Sequence, residues 1–395
     1  MKIVFFAHPD FLGHKSMTRF AKLLFDGMQR RGHEVETWMP EPVVSRLSRT
    51  AFIQKWLGYI DQYLLFPAKV RQLLKTKEPD TLFVFTDQAL GPWVHLVANR
   101  PHAIHCHDFL ALRSALGEFS ENRTGWSGRI LQNYIRKGFS RGRNFISVSK
   151  KTKEDLARFI LSKPAVSEVV YNGLHRAFTR LDAQSSRAAL GKHTDLDLSM
   201  GYLLHVGGNA WYKNRMGVID IYEAWRRLTK RPLPLILIGQ PLLDSASQKV
   251  ASSPYAADIH CLTQIDDDEI VLAYAGAIAF LFPSLAEGFG WPIAEAMASG
   301  APVITTGEAP MSEVAQEAGY LIPKQPADKT EVGQWAAEVA RTVELVTNLS
   351  PEAREHAIRK GIDNAVRFET EHSLDQIEAI YKAVLNNSRL NNGAL

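Results

Sequence analysis

Two cysteines in 395 residues exclude a disulfide scaffold. Cys106 and Cys261 lie far apart inside the apolar runs AIHCHDF and DIHCLTQ and read as buried thiols, which fits a reducing cytosol. Long apolar runs are also missing: no stretch reaches the ~18 residues of a membrane span. The opening KIVFF, followed by AHPD, is too short for the apolar region of a signal peptide. A cytoplasmic location is therefore expected. Neither sign of charge dominates, since 46 Lys+Arg against 42 Asp+Glu leave +4, and a histone-like polycation is excluded. No repeat or low-complexity tract is visible. With 46% apolar residues the chain has enough material for two or three cores at about 150 residues each.

The near-neutral balance hides an asymmetry. Residues 1–180 hold 28 basic and 15 acidic side chains, or +13, and the remainder holds 18 and 27, or −9. A basic half attracts anionic partners at long range, among them a phospholipid surface, a phosphorylated substrate or nucleic acid. No nucleic-acid recognition motif accompanies it, and no nucleic-acid partner is expected.

Short apolar runs alternate with longer helical patterns from end to end, the sequence form of parallel strands joined by crossover helices, so the fold class is α/β. Strands are expected at 2–7, 33–38, 81–86, 103–106, 144–148 and 168–171, and again at 202–206, 233–238, 258–261, 277–282 and 302–305. The polar stretch between the two sets separates two doubly wound domains. Ligands in such sheets bind outside the carboxyl ends of the strands, which makes the loops after each strand the ones to read. The segment 50–75 carries Phe52, Trp56, Tyr59, Tyr63 and Phe66 at three- and four-residue steps. It reads as one helix with an aromatic face, packed in the core or, given the basic half around it, laid on a membrane interface.

The densest pattern is FPSLAEGFGWPIAEAMASGAPVITT. After an apolar strand comes a loop with Glu287, Gly288 and Gly290, then Pro292 at the expected first helical position and a short Ala-rich helix ended by Gly300. Free backbone N–H groups at a helix start suit an anionic or hydroxyl-rich ligand. Glu287 and Glu295 can grip different parts of one ligand, and carboxylates accept from paired hydroxyls such as those of a ribose or hexose. In VGGNAWYKNR, Gly207 and Gly208 allow close backbone approach to a phosphate, and Lys213 stands at the next helix entry, where a cation is well placed only if an anion lies between.

The string EGFGWPIAEAMASG resembles the E-x7-E signature of the retaining glycosyltransferases of family 4, of the GT-B fold. AIHCHDFLALRS, SVSKKTKEDL, VVYNGLH, LLHVGGNAWYKN and the tail RFETEHSLDQIEAIYKAVL resemble other segments of that family in the same order.

The resemblance implies two Rossmann-like domains facing a central cleft: an acceptor-side domain at 1–185, a nucleotide-sugar domain at 186–370, and a final helix, 371–395, returning to the first. It implies retaining, metal-independent transfer of a sugar from a UDP- or GDP-sugar to a glycan or lipid-linked acceptor in cell-surface polysaccharide assembly, with no cofactor. An epimerase or a non-enzymatic nucleotide-sugar sensor of the same fold are the alternatives. The work would be done in the cytoplasm, at the inner face of the cytoplasmic membrane if the basic half meets anionic lipid.

By position, Glu287 would contact the donor sugar and Glu295 the ribose, with Phe289, Gly290 and Trp291 completing the pocket. Gly13, Gly207, Gly208 and Asn209 would line the donor phosphates. Lys213 would neutralise the leaving phosphate and His107 would touch the donor sugar; these two and Glu287 form the catalytic set. The family's usual arginine near this lysine is absent, since Gly208 and Tyr212 stand in its places, leaving Arg215 or Asn209 as substitutes. His14, Lys15, Asp87 and Asp108 are acceptor-side candidates. His105 and His107 could share a strand face as a metal pair, but no third ligand has suitable spacing and no metal is expected. The D-x-D pattern at Asp266 to Asp268 precedes a helical run and reads as helix-capping acids.

Overall fold

The apolar runs are strands, and each set forms one parallel sheet. The first sheet contains β1 (Lys2–Phe6), β2 (Glu34–Trp38), β3 (Leu82–Phe85), β4 (His102–Cys106), β5 (Asn144–Ser147) and β6 (Val166–Val169), in the order β2-β1-β3-β4-β5-β6. The second contains β7 (Leu203–Val206), β8 (Leu235–Ile238), β9 (Ile259–Leu262), β10 (Ala279–Phe282), β11 (Val303–Thr306) and β12 (Tyr320–Ile322), in the order β12-β11-β10-β7-β8-β9. The computed structural model describes the chain apart from residues 10, 12–14, 48–49, 175–177 and 393–395, with the backbone alone at 15, 51, 391 and 392.

Strands such as LFVF and AFLF are buried on both faces, so they read as unbroken apolar runs, as parallel strands covered by helices must. In the first unit Phe6 stacks on Phe85 of the adjacent strand with ring centroids 4.6 Å apart and meets Trp38 and Phe66 edge-on. Each fully buried ring of this kind contributes about 1.5–3 kcal/mol by leaving water. In the second unit the helix Arg215–Leu228 buries Val218, Ile221, Tyr222 and Trp225 against the sheet and against the helix Val332–Thr347.

Contacts divide the chain into one unit of residues 1–118, 123–175 and 370–395 and another of 119–122 and 176–369. The boundary expected after residue 185 falls inside the helix Ala183–Thr194, and the chain changes unit about ten residues earlier. The last helix, Thr370–Asn392, belongs to the first unit. Its Leu374 and Tyr381 are buried there, and Arg31 is bonded to Glu371 and Asp375.

Three local expectations are corrected. Residues 50–75 are not one helix but the α-helical pieces Ala51–Ile60 and Phe66–Leu73 joined by a wider π turn, Asp61–Leu65, and of the aromatic series only Phe66 is buried. The strand β6 starts two residues earlier than expected. The short strand β12 was not anticipated, because YLI between Gly319 and Pro323 is too brief to show a period.

Candidate functional site

In a doubly wound sheet the first strand sends its connections in opposite directions, and a crevice opens where the order reverses. In the second unit that point lies between β7 and β10, which pair directly through Leu203 and Leu204. Lys213 follows β7 and Glu287 follows β10, 74 residues apart in sequence. The Lys213 ammonium donates to Glu287 Oε1 at 2.7 Å, and Ser284 Oγ donates to the same oxygen at 2.9 Å. Their side chains are only 17% and 8% exposed. The ammonium also lies 5.0 Å from the Phe282 ring centroid and 5.5 Å from that of Tyr212, so aromatic faces and a carboxylate together replace the water it has lost.

Both loops are fixed by their own hydrogen bonds. Thr306 Oγ1 donates to Ser284 O at 2.8 Å and Leu285 N to Tyr212 O at 2.8 Å, tying the loop after β10 to its neighbours. Asn214, in the left-handed region at φ 54°, caps the helix Arg215–Leu228 by accepting from Gly217 N, while its amide donates to Pro283 O at 3.0 Å. Gly207 is demanded by close approach, since a Cβ there would lie 3.0 Å from His205 Nε2. Burial takes the His205 pKa down to about 3. Its Nδ1 donates to Leu281 O, leaving Nε2 a buried acceptor with no partner among the described residues.

Gly290, at φ 105°, begins the helix Trp291–Ala298, with Trp291 as its first residue and Pro292 as its second rather than its first. Glu295 on that helix accepts from the Tyr274 hydroxyl at 2.9 Å. Burial, then the nearby Glu295 charge, holds the Tyr274 hydroxyl well above the usual phenol range, so it stays protonated and donates. Phe289 is buried against Phe368, and the buried Trp291 Nε1 has no partner among the described residues.

Both proposed replacements for the missing arginine are held by hydrogen bonds of their own. Arg215 is buried, and its NH1 donates to Asn209 Oδ1 at 2.9 Å and Gln240 O at 2.7 Å. Its NH2 lies 3.5 Å from the Sγ of Cys261, which is half-buried rather than buried. Asn209 in turn accepts that bond while its amide donates to Pro241 O. Arg215 and Asn209 thus knit the loop after β7 to the loop after β8. Gly208 lies against Gln240, whose Oε1 would sit 3.3 Å from a Cβ there.

The first sheet reverses between β1 and β3, and a second cluster of polar side chains collects there. His8 Nε2, after β1, donates to Asp87 Oδ2, after β3, at 2.9 Å, and Ala89 N donates to Asp87 Oδ1 at 2.8 Å. Burial would raise the Asp87 carboxyl, but the bond from His8 and the nearby His107 outweigh it and hold the group below its usual range. His107, at the end of β4, donates from Nε2 to Thr86 O at 2.9 Å, which leaves Nδ1 as the acceptor nitrogen. Burial lowers its pKa, keeping the ring neutral. Gln88 bridges the neighbours, accepting from His107 N and donating to Asp108 O, while Asp108 Oδ1 accepts from Leu110 N at 2.9 Å. His105 bonds instead to the Tyr381 hydroxyl at 2.7 Å within the core.

The sequence-derived candidates therefore fall into two groups, one per unit. Gly13 and His14 lie outside the described residues, and Lys15 starts the helix Lys15–Arg30 with its side chain outside them. Asp266 accepts from Asp268 N and Glu269 N, and Glu269 reciprocates to Asp266 N, so the D-x-D pattern is a capping box. His8, Ser284, Tyr274 and Gln240 were missed. Each acts through a partner 21 or more residues away in sequence, except Ser284, whose spacing of three from Glu287 was the one available signal.

Residues 201–344 match the family described as Glycosyl transferases group 1, and residues 17–178 match Glycosyltransferase Family 4. The chain belongs to the group 1, family 4 glycosyltransferases. It is 30% identical over 184 residues to the O-antigen chain mannosyltransferase B of Escherichia coli, an alignment covering 46% of each chain. The chain spans 24% to 64% of the length of the curated relatives it matches. Among solved structures it is similar to Anabaena HepE in complex with UDP and glucose, at 17% identity and a TM-score of 0.70, covering 97% of this chain and 100% of that one. It is also similar to sucrose-phosphate synthase from Thermosynechococcus elongatus, at 15% identity and a TM-score of 0.72, covering 98% and 100%. These likenesses carry the fold, which is the GT-B class of two doubly wound α/β units.

Proposed function

We propose that this chain transfers a sugar from a UDP- or GDP-sugar to a hydroxyl of a glycan or lipid-linked acceptor, with retention of configuration and without a metal ion. The setting is the assembly of cell-surface polysaccharide on the inner face of the cytoplasmic membrane. The observation that carries this reading is the Lys213–Glu287 pair at the reversal point of the second sheet. A phosphate chain drawn to that cation would come within reach of the positive end of the helix that begins at Trp291. Glu287 would then exchange its bond with Lys213 for sugar hydroxyls, and Glu295, held by Tyr274, would accept from the ribose hydroxyls.

The C1–O bond to the β-phosphate breaks as the acceptor oxygen bonds to C1 on the same face. The acceptor proton passes to the departing phosphate oxygen. Lys213 and the helix dipole stabilise the charge that develops on that phosphate, where fixed dipoles act most strongly. No protein nucleophile is required. Asp266, the first acid of the D-x-D pattern, is occupied by helix capping, which favours the metal-independent form of the reaction. Relatives named as mannosyltransferases, and a structural neighbour that binds UDP and glucose, support the donor class.

The test is a panel of UDP-, GDP- and ADP-sugars scored for thermal stabilisation and slow hydrolysis, with the anomeric configuration of the product read by NMR. At least one UDP- or GDP-sugar should stabilise the protein and yield a product of retained configuration. Inversion, or full turnover in the Glu287→Gln/Glu295→Gln double variant, would overturn the reading.

A further inference from the structure

The first unit carries an apolar surface that its own core does not use. On the helix Ala51–Ile60, Phe52 is 71% and Trp56 52% exposed. The rings of Phe52, Trp56, Tyr59 and Tyr63 follow one another at centroid distances of 6.4, 5.7 and 5.9 Å, and Tyr63 meets Tyr134 at 5.7 Å. Tyr134 lies on the helix Trp126–Phe139, where Ile130 and Trp126 precede it at four-residue steps and so share its face; Trp126 is 79% exposed. Two helices thus join into one aromatic strip. Soluble surfaces rarely expose contiguous apolar area of this kind unless something covers it.

The strip is held firmly from beneath. Asp61 accepts from the backbone N–H groups of Val43, Val44 and Ser45, and Trp93 Nε1 donates to Gln62 O at 2.9 Å. Under the second helix a Cβ on Gly138 would lie 2.4 Å from the backbone of Gly91, so the helix rests flush on the turn Gln88–Leu96 and cannot roll to bury its outer face. Exposure of these rings is built in by packing.

Charge identifies what covers the strip. Residues 42–77 hold seven Lys or Arg, of which Lys69 and Lys77 pair with Glu41 and Glu36 outside that stretch, and a single acid, Asp61, which is 1% exposed. Residues 122–153 hold nine Lys or Arg, of which Lys151 pairs with Asp155, and no acid. Lys55 and Arg129 stand exposed beside Trp56 and Ile130 in sequence. A second copy of this chain would bring one basic face against another, which disfavours self-association. A bilayer carrying anionic headgroups meets both needs: aromatic side chains, Trp and Tyr above all, settle at the boundary of headgroup and acyl chain, and flanking cations are drawn to the negative surface.

We propose that the strip from Phe52 through Tyr63 and Tyr134 to Trp126 is the surface by which the first unit docks onto anionic phospholipid. Its purpose rests on the lipid-linked acceptor proposed above, which would be presented at that boundary; its physical basis does not.

The experiment uses the full chain with vesicles of phosphatidylcholine alone and of phosphatidylcholine carrying phosphatidylglycerol at about one lipid in three. Wild-type protein should co-sediment with the anionic vesicles, with a blue shift of tryptophan emission, and bind the neutral ones far less. Phe52→Ser/Trp56→Ser should lower the partition coefficient about tenfold or more on anionic vesicles, and Lys55→Glu/Arg129→Glu should remove the preference for anionic lipid. All these side chains are exposed, and donor hydrolysis without lipid should be unchanged in both variants. Equal binding by the three proteins, or a dimer in sedimentation velocity that Phe52→Ser/Trp56→Ser converts to monomer, would overturn the proposal. Vesicle binding of the expected pattern with no turnover of any nucleotide sugar would sink the transferase reading and leave this surface standing.

Discussion

The Lys213 ammonium sits 2.7 Å from Glu287 Oε1, joining the strand-end loops on either side of the reversal point in the second sheet. Each side chain holds the other in place before any ligand arrives, and in the proposed reaction both would change partner for the donor. Lys213→Ala should therefore lower kcat for donor hydrolysis about 10²- to 10³-fold, the usual cost of losing one fixed stabiliser of transition-state charge. The rate with each nucleotide sugar is the measurement, and an unchanged kcat with unchanged donor KM would remove the lysine from the chemistry.

Tyr274 presents its hydroxyl to Glu295 at 2.9 Å from full burial. Tyr274→Phe removes one bond to a charged acceptor and nothing else. If Glu295 grips the ribose in ground state and transition state alike, donor KM should rise about three- to tenfold while kcat holds. An equal fall in kcat would place Tyr274 nearer the reacting atoms than this geometry allows.

Arg215 ties Asn209 to Gln240 from a buried position. Arg215→Ala should cost about 3–6 kcal/mol in urea denaturation, the scale of two hydrogen bonds from a charged donor, and should raise donor KM by loosening the loop after β7. Lysine at 215 should recover part of the loss, because both bonds leave a single guanidinium nitrogen, NH1, that an ammonium can replace.

His105 and His205 both titrate near about 3 in the fold, burial being the first cause for each. Unfolded histidine titrates near about 6.5. Between those values the unfolded chain binds protons that the native one refuses, so stability is complete above the unfolded pKa and is lost as pH falls below it. The loss is about 1.4 kcal/mol per histidine for each unit below about pH 6. Melting temperature should drop steadily from pH 7 to pH 5, and His105→Gln, which retains a partner for Tyr381, should flatten that slope.

Much of the architecture was legible because buried parallel strands advertise themselves as unbroken apolar runs, and eleven of the twelve were located. Glu287 and Glu295 were legible because a loop, Gly290 and a helix start lie within a few residues of one another. What could not be read were pairings across the sheet: nothing in the local sequence of Tyr274 points to Glu295, 21 residues away, nor of His8 to Asp87, 79 residues away. The three- and four-residue spacing made neighbours of Phe52, Trp56, Tyr59 and Tyr63 but not of Phe66, which packs on Phe6 and Trp93, and periodicity does not say whether a face looks inward or outward. Packing at Gly91, Asp61 and Trp93 decides that, leaving Phe52 and Trp56 exposed and Tyr59 and Tyr63 half-buried, with Phe66 inside.

Leu374 and Tyr381 lie in the core of a unit whose other strands are made within the first 169 residues. During synthesis the opening sheet is therefore complete long before the side chains that seal it exist. His105 waits without its hydroxyl partner while the whole of the middle unit emerges and closes on itself. The later-made unit can close first, and the earlier-made one gains its last buried side chains only once Tyr381 has left the ribosome.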